Sequence, residues 1–435
     1  MRDSEIFRKH ILEFPKQLKP DNIRTANLDK LQKQIHAKKP DSIVFIGMGG
    51  SGTPGAILQN ILSCAIVNIP IFSWHDSVLP VVPGKNPLYI FISFSGNTRE
   101  PLAAFQKAVK SGKMIAVVAG GGTLLEEAKA KQLPHATFSA DSGSYVDISP
   151  TPRQQPVSPS TRSDDTIVPA AAQRDGSDKV IGETRPVPSG SASSAHLRRY
   201  ASEMKSESSI SSAGLASGTD EARTRDVENI NIGSLQPRQA YGLTLYATLQ
   251  ILQSVFPRLH IPDLSAQINS RRFATSAKKT AARIFGLRQS SARQAGKIAL
   301  IYTTHNFSHL GQIFKISITE SGKSLAFANT IPEVNHNELN LLEARPKNLY
   351  AIFITSEQEY KNRKKEFDLT AQTLDEYGIP SETIRVPGRT PLEVTANGIV
   401  IAQWIGYYVA VNRKMNPLGL EVVNKIKKLA GKKKL

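Results

Sequence analysis

The chain has 435 residues, 40% of them apolar, and 55 lysines and arginines against 37 aspartates and glutamates, for a formal net charge of +18. That length holds two domains of ordinary size plus an appendage. A single cysteine, Cys64, excludes a disulfide within the chain and points to a reducing compartment. Met1–Pro20 is charged and amphipathic and does not read as a secretory signal, and no apolar run approaches the roughly 20 residues that span a bilayer, so a cytoplasmic protein with no membrane partner is expected.

Residues 1–40 read as helical, with Ile6, Ile11, Leu12 and Phe14 near helical spacing and Leu28, Leu31 and Ile35 repeating the theme. From Asp41 the pattern changes. Ile43–Met48, Ile69–Trp74, Leu88–Phe94 and Met114–Ala119 are short apolar strand candidates, and Pro54–Leu62 and Glu100–Lys110 between them read as helices. Alternating strand and helix predicts an α/β domain over residues 41–139, built on a parallel sheet covered on both faces.

From about Ala140 to Glu228, Ser, Pro, Ala, Gly and Thr dominate, and Tyr145 and Tyr200 are the only aromatics. Such a stretch cannot bury enough apolar surface to offset its chain entropy, so residues 140–230 are expected to form a long disordered insertion. Arginine overtakes lysine there, and this change of usage leaves a local sequence artefact open.

Order is expected to resume near Asn231. Pro237–Phe256 reads as an apolar helix, Lys297–Thr304, Leu349–Thr355 and Ile384–Val386 as strands, and Leu392–Val411 as a helix. These make a second α/β unit over 231–412, followed by a helix near Leu420–Leu429 and a basic tail within 413–435. Two units of like plan suggest a duplication, although no clear sequence repeat is present.

The basic excess gathers in Lys425–Lys434 and in Ser265–Thr319, which contains no Asp or Glu. Stacking aromatics are sparse there and no zinc-finger or RNA-binding signature occurs, so nucleic acid is not the expected partner. A phosphorylated metabolite suits the charge better.

Two loops carry the chemistry. Gly47-Met48-Gly49-Gly50-Ser51-Gly52 and Ser93-Phe94-Ser95-Gly96-Asn97-Thr98 each follow an apolar strand and precede a helix. Glycines let backbone approach an anion, helix N-terminal N–H groups point at it, and hydroxyls add donors without charge. Gly49 and Gly50 are the candidate backbone donors to a phosphate, and Ser51, Ser93, Ser95 and Thr98 the candidate hydroxyls. The first loop also satisfies G-x-G-x-x-G, and Asp76 at the end of the next strand could serve a ribose, which keeps a nicotinamide-dependent oxidoreductase open as a rival. Against that rival, the second loop has no role in a single pyrophosphate site. Histidines are scattered, and no HExxH or cysteine cluster signals a metal.

The paired loops resemble the sugar-isomerase (SIS) domain. Three further blocks, Leu235–Ala240 (LQPRQA), Ile318–Glu338 (ITESGKSLAFANTIPEVNHNE) and Asn416–Lys428 (NPLGLEVVNKIKK), resemble the bifunctional phosphoglucose/phosphomannose isomerases of archaea and bacteria. The resemblance covers nearly the whole chain outside about Ala140–Glu228. It implies two SIS domains of flavodoxin-like, parallel-sheet plan and an isomerase that needs neither cofactor nor metal. The expected reaction interconverts glucose 6-phosphate, and mannose 6-phosphate, with fructose 6-phosphate through an enediol.

The resemblance also distributes roles. Glu320 moves the proton between C2 and C1, as suits a carboxylate acting alpha to a carbonyl; its rival reading is a surface carboxylate paired with Lys323. Arg238 stabilises the enediolate, its rival a solvent-facing helix cap. His336 and Lys427 open the sugar ring, with the histidine supplied by the neighbouring subunit, so a homodimer is implied; the rival for His336 is a helix-start histidine that merely hydrogen-bonds Asn335 or Asn337, and for Lys427 a solvated basic tail. One departure stands out. The family carries a threonine seven residues before its last lysine, where this chain has Leu420. The bulkier leucine makes phosphomannose activity less expected than phosphoglucose activity. A non-catalytic phosphosugar sensor is the other alternative.

Overall fold

The computed structural model describes residues 3–63, 69–138, 235–285 and 296–432. The expected insertion over 140–230 and Cys64 lie outside the described residues.

The first unit opens with α1 (Asp3–Glu13), β1 (Arg24–Ala26) and α2 (Leu28–Ala37), then alternates β2 (Ser42–Ile46), α3 (Thr53–Ser63), β3 (Ile71–Trp74), β4 (Pro87–Ser93), α4 (Arg99–Lys110), β5 (Met114–Ala119), α5 (Gly122–Ala130) and β6 (His135–Thr137). Every residue of β2 and β4 is buried. This is why both read as unbroken apolar runs, the mark of strands covered on both faces. The sheet order is β1-β6-β5-β4-β2-β3, parallel except where β1 runs antiparallel to β6. From β2 onward this is the flavodoxin-like doubly wound order, and it reverses between β2 and β4, where such sheets bind ligands. The two loops singled out in the sequence leave the carboxyl ends of those two neighbouring strands. β1 gave no sequence signal because its three residues are all exposed.

The second unit contains α6 (Tyr241–Val255), α7 (Ala274–Phe285), β7 (Ile298–Thr304), α8 (Ser308–Ile316), β8 (Ala326–Ile331), α9 (Glu333–His336), β9 (Leu349–Ser356), α10 (Glu357–Glu376), β10 (Ser381–Val386), α11 (Pro391–Asn412) and α12 (Glu421–Lys432). Its four strands are all parallel in the order β10-β9-β7-β8. That repeats the relative order of β5, β4, β2 and β3, so the two units share one plan despite the absence of a sequence repeat. β8 was not legible as a strand. It lies on the sheet edge, and its centre, Phe327–Thr330, is exposed or half-buried.

One apolar core joins the units: α1, α6 and α11 contribute Phe7, Tyr246 and Trp404, packed with strand residues from both sheets. The outer face of each sheet has a core of its own, one including Phe91 and Phe105, the other Phe353 and Phe367. α11 corrects one expectation. At 22 residues it is long and apolar enough to cross a membrane by length and composition. Its Ile399, Val400, Trp404 and Ile405 are buried in the shared core.

Candidate active site

Glycine at position 50 sets the site. A Cβ there would lie 2.8 Å from the backbone nitrogen of Arg238 and 2.8 Å from the carbonyl carbon of Pro237. Only a residue without a side chain lets the first loop lie directly against this distant stretch. Gly49 has φ +52° and its backbone is exposed. Buried Ser51 accepts a hydrogen bond from Phe94 N at 3.0 Å, which stitches the first loop to the second and leaves its own hydroxyl proton to donate.

The second loop is braced from within. Ser93 Oγ accepts from Gly96 N at 3.1 Å and donates to Thr98 Oγ1 at 3.3 Å, while Ser95 Oγ accepts from Asn97 N at 3.3 Å. Gly96 adopts φ +69°, and a Cβ there would sit 1.7 Å from the carbonyl oxygen of Gly121. Asn97 Oδ1 accepts from the backbone and hydroxyl of Thr123, tying the loop to the start of α5. Ser93 therefore shapes the loop, whereas Ser95 and Thr98 are half-buried at its surface.

Arg238 lies in a single 3-10 turn, Pro237–Gln239, closed by a capping box in which Gln236 and Gln239 bond reciprocally. The apolar helix expected from Pro237 thus begins four residues later, at Tyr241. Arg238 is only 4% exposed, so it is no solvent-facing cap. Its three guanidinium nitrogens all donate: Nη1 to Glu320 Oε1 at 2.8 Å, Nε to Ser321 Oγ at 3.0 Å and Nη2 to Pro417 O at 2.8 Å. Burial pushes the Arg238 pKa down, and the Glu320 carboxylate opposes that.

Glu320 sits on a π-helical turn, Ser317–Ser321, that continues α8. Such widened turns recur at functional sites. Lys323 does not pair with the Glu320 carboxylate. In the left-handed region at φ +54°, it donates instead to the carbonyls of Glu320 and Gly419. Burial, then the nearby Arg238 charge, lowers its pKa. Gln236 Nε2 donates to Leu418 O at 2.8 Å. Three successive carbonyls, 417 to 419, are therefore each held by a side chain of the site. Ser321, Gln236 and Lys323 were not singled out as site-builders by sequence, although all lie inside the blocks that carry the resemblance.

The other expected residues are not joined to this pair by any described contact. His336 is exposed at the end of α9, just past the edge strand β8. Its neighbours are anchored: Asn335 Oδ1 accepts from Thr370, Asn337 donates to Glu333, and Glu338 accepts from Tyr302 at 2.8 Å and Asn329 at 2.9 Å. Lys427 is exposed on α12, whose Val422, Ile426 and Leu429 are also exposed. Leu420, half-buried, directly follows the clasped carbonyls.

Asp76 does not stand ready for a ribose. Its carboxylate accepts from Val78 N, Ser77 N and Ser77 Oγ, which closes a tight turn and holds its pKa down. His75, unremarked in the sequence, instead packs on the glycine loop, its Nδ1 2.6 Å from Gly47 O. In the second unit the equivalent loop, after β7, is closed by Asn60 of α3, which donates to His305 O and Ser308 Oγ. Among the described residues no group of three or more His, Cys, Asp or Glu is placed to hold a metal ion.

Residues 288–429 match the family model of the bacterial phospho-glucose isomerase C-terminal SIS domain. The match falls within the second unit, which is similar to that domain. Over 388 residues, 88% of this chain and 89% of the relative, the chain is 22% identical to the bifunctional phosphoglucose/phosphomannose isomerase of Aquifex aeolicus. It is 32% identical over 123 residues to the bifunctional phosphoglucose/phosphomannose isomerase of Thermoplasma acidophilum, covering 28% of this chain and 36% of that one. Among solved structures, the C-terminal domain of glucosamine-fructose-6-phosphate aminotransferase from Francisella tularensis superposes with a TM-score of 0.51 at 13% identity, covering 94% of this chain and 96% of that one. At that identity the likeness speaks for the fold. The resemblance read from the sequence and the α/β, parallel-sheet fold are both borne out.

Proposed function

We propose that this SIS protein is a metal-independent aldose–ketose isomerase that interconverts glucose 6-phosphate with fructose 6-phosphate. The single observation that carries the reading is the Arg238–Glu320 contact at 2.8 Å, set against a glycine loop whose Gly50 touches the Arg238 backbone. A phosphate held by Gly49, Gly50, Ser51, Ser95 and Thr98 leaves a sugar chain directed toward one carboxylate and one fixed cation.

In the open-chain sugar, Glu320 takes the proton from C2 and returns it to C1, while the hydroxyl proton redistributes between O1 and O2. The enediolate that forms between these steps carries negative charge on oxygen. Arg238 is fully ionised, cannot donate its proton away, and is fixed in place by Ser321 and Pro417. It therefore stabilises the enediolate electrostatically at no cost of reorganisation. In the resting enzyme Glu320 occupies the place at Nη1 that the enediolate oxygen takes over.

Ring opening falls to His336 and Lys427. His336 is exposed past a sheet edge while Asn335, Asn337 and Glu338 around it are tethered, an arrangement that suits its presentation to a second copy of the chain. The functional unit is accordingly a homodimer. Leu420, directly after the clasped carbonyls of 417 to 419, favours the glucose over the mannose epimer.

A coupled assay with fructose 6-phosphate, run with and without EDTA, tests the reading. Turnover that survives chelation is expected. Folded protein that binds fructose 6-phosphate without converting it would make the chain a sensor, and loss of turnover in EDTA would overturn the metal-independent mechanism.

A further inference from the structure

The turn that carries Arg238 is held apart from the helix it leads into. Pro237 suits a first helical turn, and the sequence reads as a helix from that point. Instead Pro237–Gln239 forms a single 3-10 turn, and α6 begins at Tyr241, its ladder opened by the bond from Thr244 N to Ala240 O at 3.1 Å. Winding α6 back by one turn would hand the carbonyls of Arg238 and Gln239 to Gly242 N and Leu243 N. Two buried glutamines take those carbonyls. Gln403 of α11, 3% exposed, donates from Nε2 to Arg238 O at 3.3 Å. Gln17, 1% exposed in the turn Phe14–Leu18 after α1, donates from Nε2 to Gln239 O at 2.9 Å. The amide oxygen of each has no hydrogen-bond partner among the described residues. A bare buried acceptor is costly, so packing alone would be served better by an apolar side chain. What each glutamine supplies here is its donor.

We infer that Gln17 and Gln403 are positioning residues for Arg238: by occupying the carbonyls of 238 and 239 they keep its turn out of α6 and its guanidinium aimed at the substrate. The inference rests on the reading of Arg238 as the cation that stabilises the enediolate. A cation acts there without reorganisation only if its backbone is fixed as firmly as its tip. Ser321 and Pro417 fix the tip, and Gly50 lies against the amide side of the turn. The glutamines hold the carbonyl side, and they reach it from 165 and 222 positions away in sequence. Without them the turn is free to wind into α6, where each residue advances by about 100° rather than about 120°. The guanidinium would then swing off its line.

Gln17→Met combined with Gln403→Met separates this role from simple packing. Methionine nearly keeps the volume and removes each donor together with its bare acceptor, so the thermal midpoint should move by only a few degrees. Two probes read the aim of Arg238: arabinonate 5-phosphate, whose carboxylate brings negative charge toward the place of the enediolate, and sorbitol 6-phosphate, whose chain is neutral. Affinity for the aldonate and kcat for fructose 6-phosphate should both fall by about tenfold or more, since a displacement of about 1 Å costs up to roughly a hundredfold. Affinity for sorbitol 6-phosphate and KM should stay within about twofold of wild type. Unchanged kcat and aldonate affinity would overturn the inference, as would equal losses for both probes, the mark of a merely loosened site. If the double variant does not fold, the single variants carry the same test: each should lose aldonate affinity relative to sorbitol 6-phosphate, and an unchanged ratio in both would overturn the inference. Wild-type protein that binds the two probes equally would instead overturn the reading of Arg238, so the two failures are distinguishable.

Discussion

Replacing Glu320 by Gln removes one charge and one proton acceptor and almost nothing else. Gln still offers an oxygen to Arg238 Nη1, so the contact at 2.8 Å survives as a neutral hydrogen bond. What is lost is the counter-charge to a guanidinium whose side chain is 3% exposed. A fully buried pair broken in this way costs about 3–5 kcal/mol. The Glu320 side chain is 34% exposed, so solvent screens much of that, and a loss of roughly 1–2 kcal/mol is expected. In a body of this size that lowers the thermal midpoint by only a few degrees. The effect on turnover should be far larger. Removing the general base costs about 10²–10⁴ in rate, or roughly 3–5 kcal/mol of barrier. The phosphate loops are untouched, so KM should stay within about threefold. A continuous assay coupled to oxidation of glucose 6-phosphate, beside a melting curve on the same preparation, reads both quantities. Turnover within tenfold of wild type would remove Glu320 from the mechanism, and an unchanged midpoint would refute the ion-pair energetics.

His309 predicts a pH effect on stability. It is buried, its Nδ1 faces the Asn60 amide at 3.1 Å and its Nε2 faces Thr395 at 3.0 Å, and burial lowers its pKa from 6.5 to about 3. The folded state thus binds the proton more weakly than the unfolded one, so stability is full above about pH 6.5 and falls as the pH drops toward 3. By pH 4.5 the penalty is about 3 kcal/mol; urea midpoints of wild type and His309→Gln should converge on acidification, and parallel curves would contradict this. Gly96→Ala forces a side chain into φ +69° and against Gly121 O. The backbone term alone is about 1–2 kcal/mol, and because the second loop must open, KM for fructose 6-phosphate should rise more than kcat falls; an unchanged KM would show that this loop does not hold phosphate. Tyr302→Phe deletes one of two donors to Glu338, costing about 1–2 kcal/mol and loosening the segment that carries His336. A severalfold drop in kcat is expected, and wild-type kinetics together with wild-type stability would count against that anchoring.

Much of this was legible in the sequence, for a local reason. β2, β4 and β5 read as strands because short apolar runs bounded by glycine and polar residues suit a sheet covered on both faces, and those strands are buried along almost their whole length. The glycine and serine loops read as an anion cradle because their conformations admit few other residues, as Gly96 shows. β1 and β8 were missed because exposed edge strands carry no such apolar run. α11 was read almost to its bounds, Leu392–Val411 against Pro391–Asn412, although polar Asn397 and Gln403 interrupt its apolar pattern; both are buried all the same.

The sequence by itself determined the α/β class, the two units and the residue types offered to a phosphorylated sugar, since burial periodicity and backbone freedom act over a few residues. The tertiary structure decided which of them meet. Arg238 and Glu320 are 82 positions apart and touch because α6 and the π turn pack on one shared core. Lys323, the neighbour that local spacing offered to Glu320, is drawn away to the Gly419 carbonyl. His336 and Lys427 stay at the surface, because the elements that carry them end beyond a sheet edge and on a helix whose apolar side is exposed. Proximity across such distances in sequence is fixed by how cores pack, which no local pattern records.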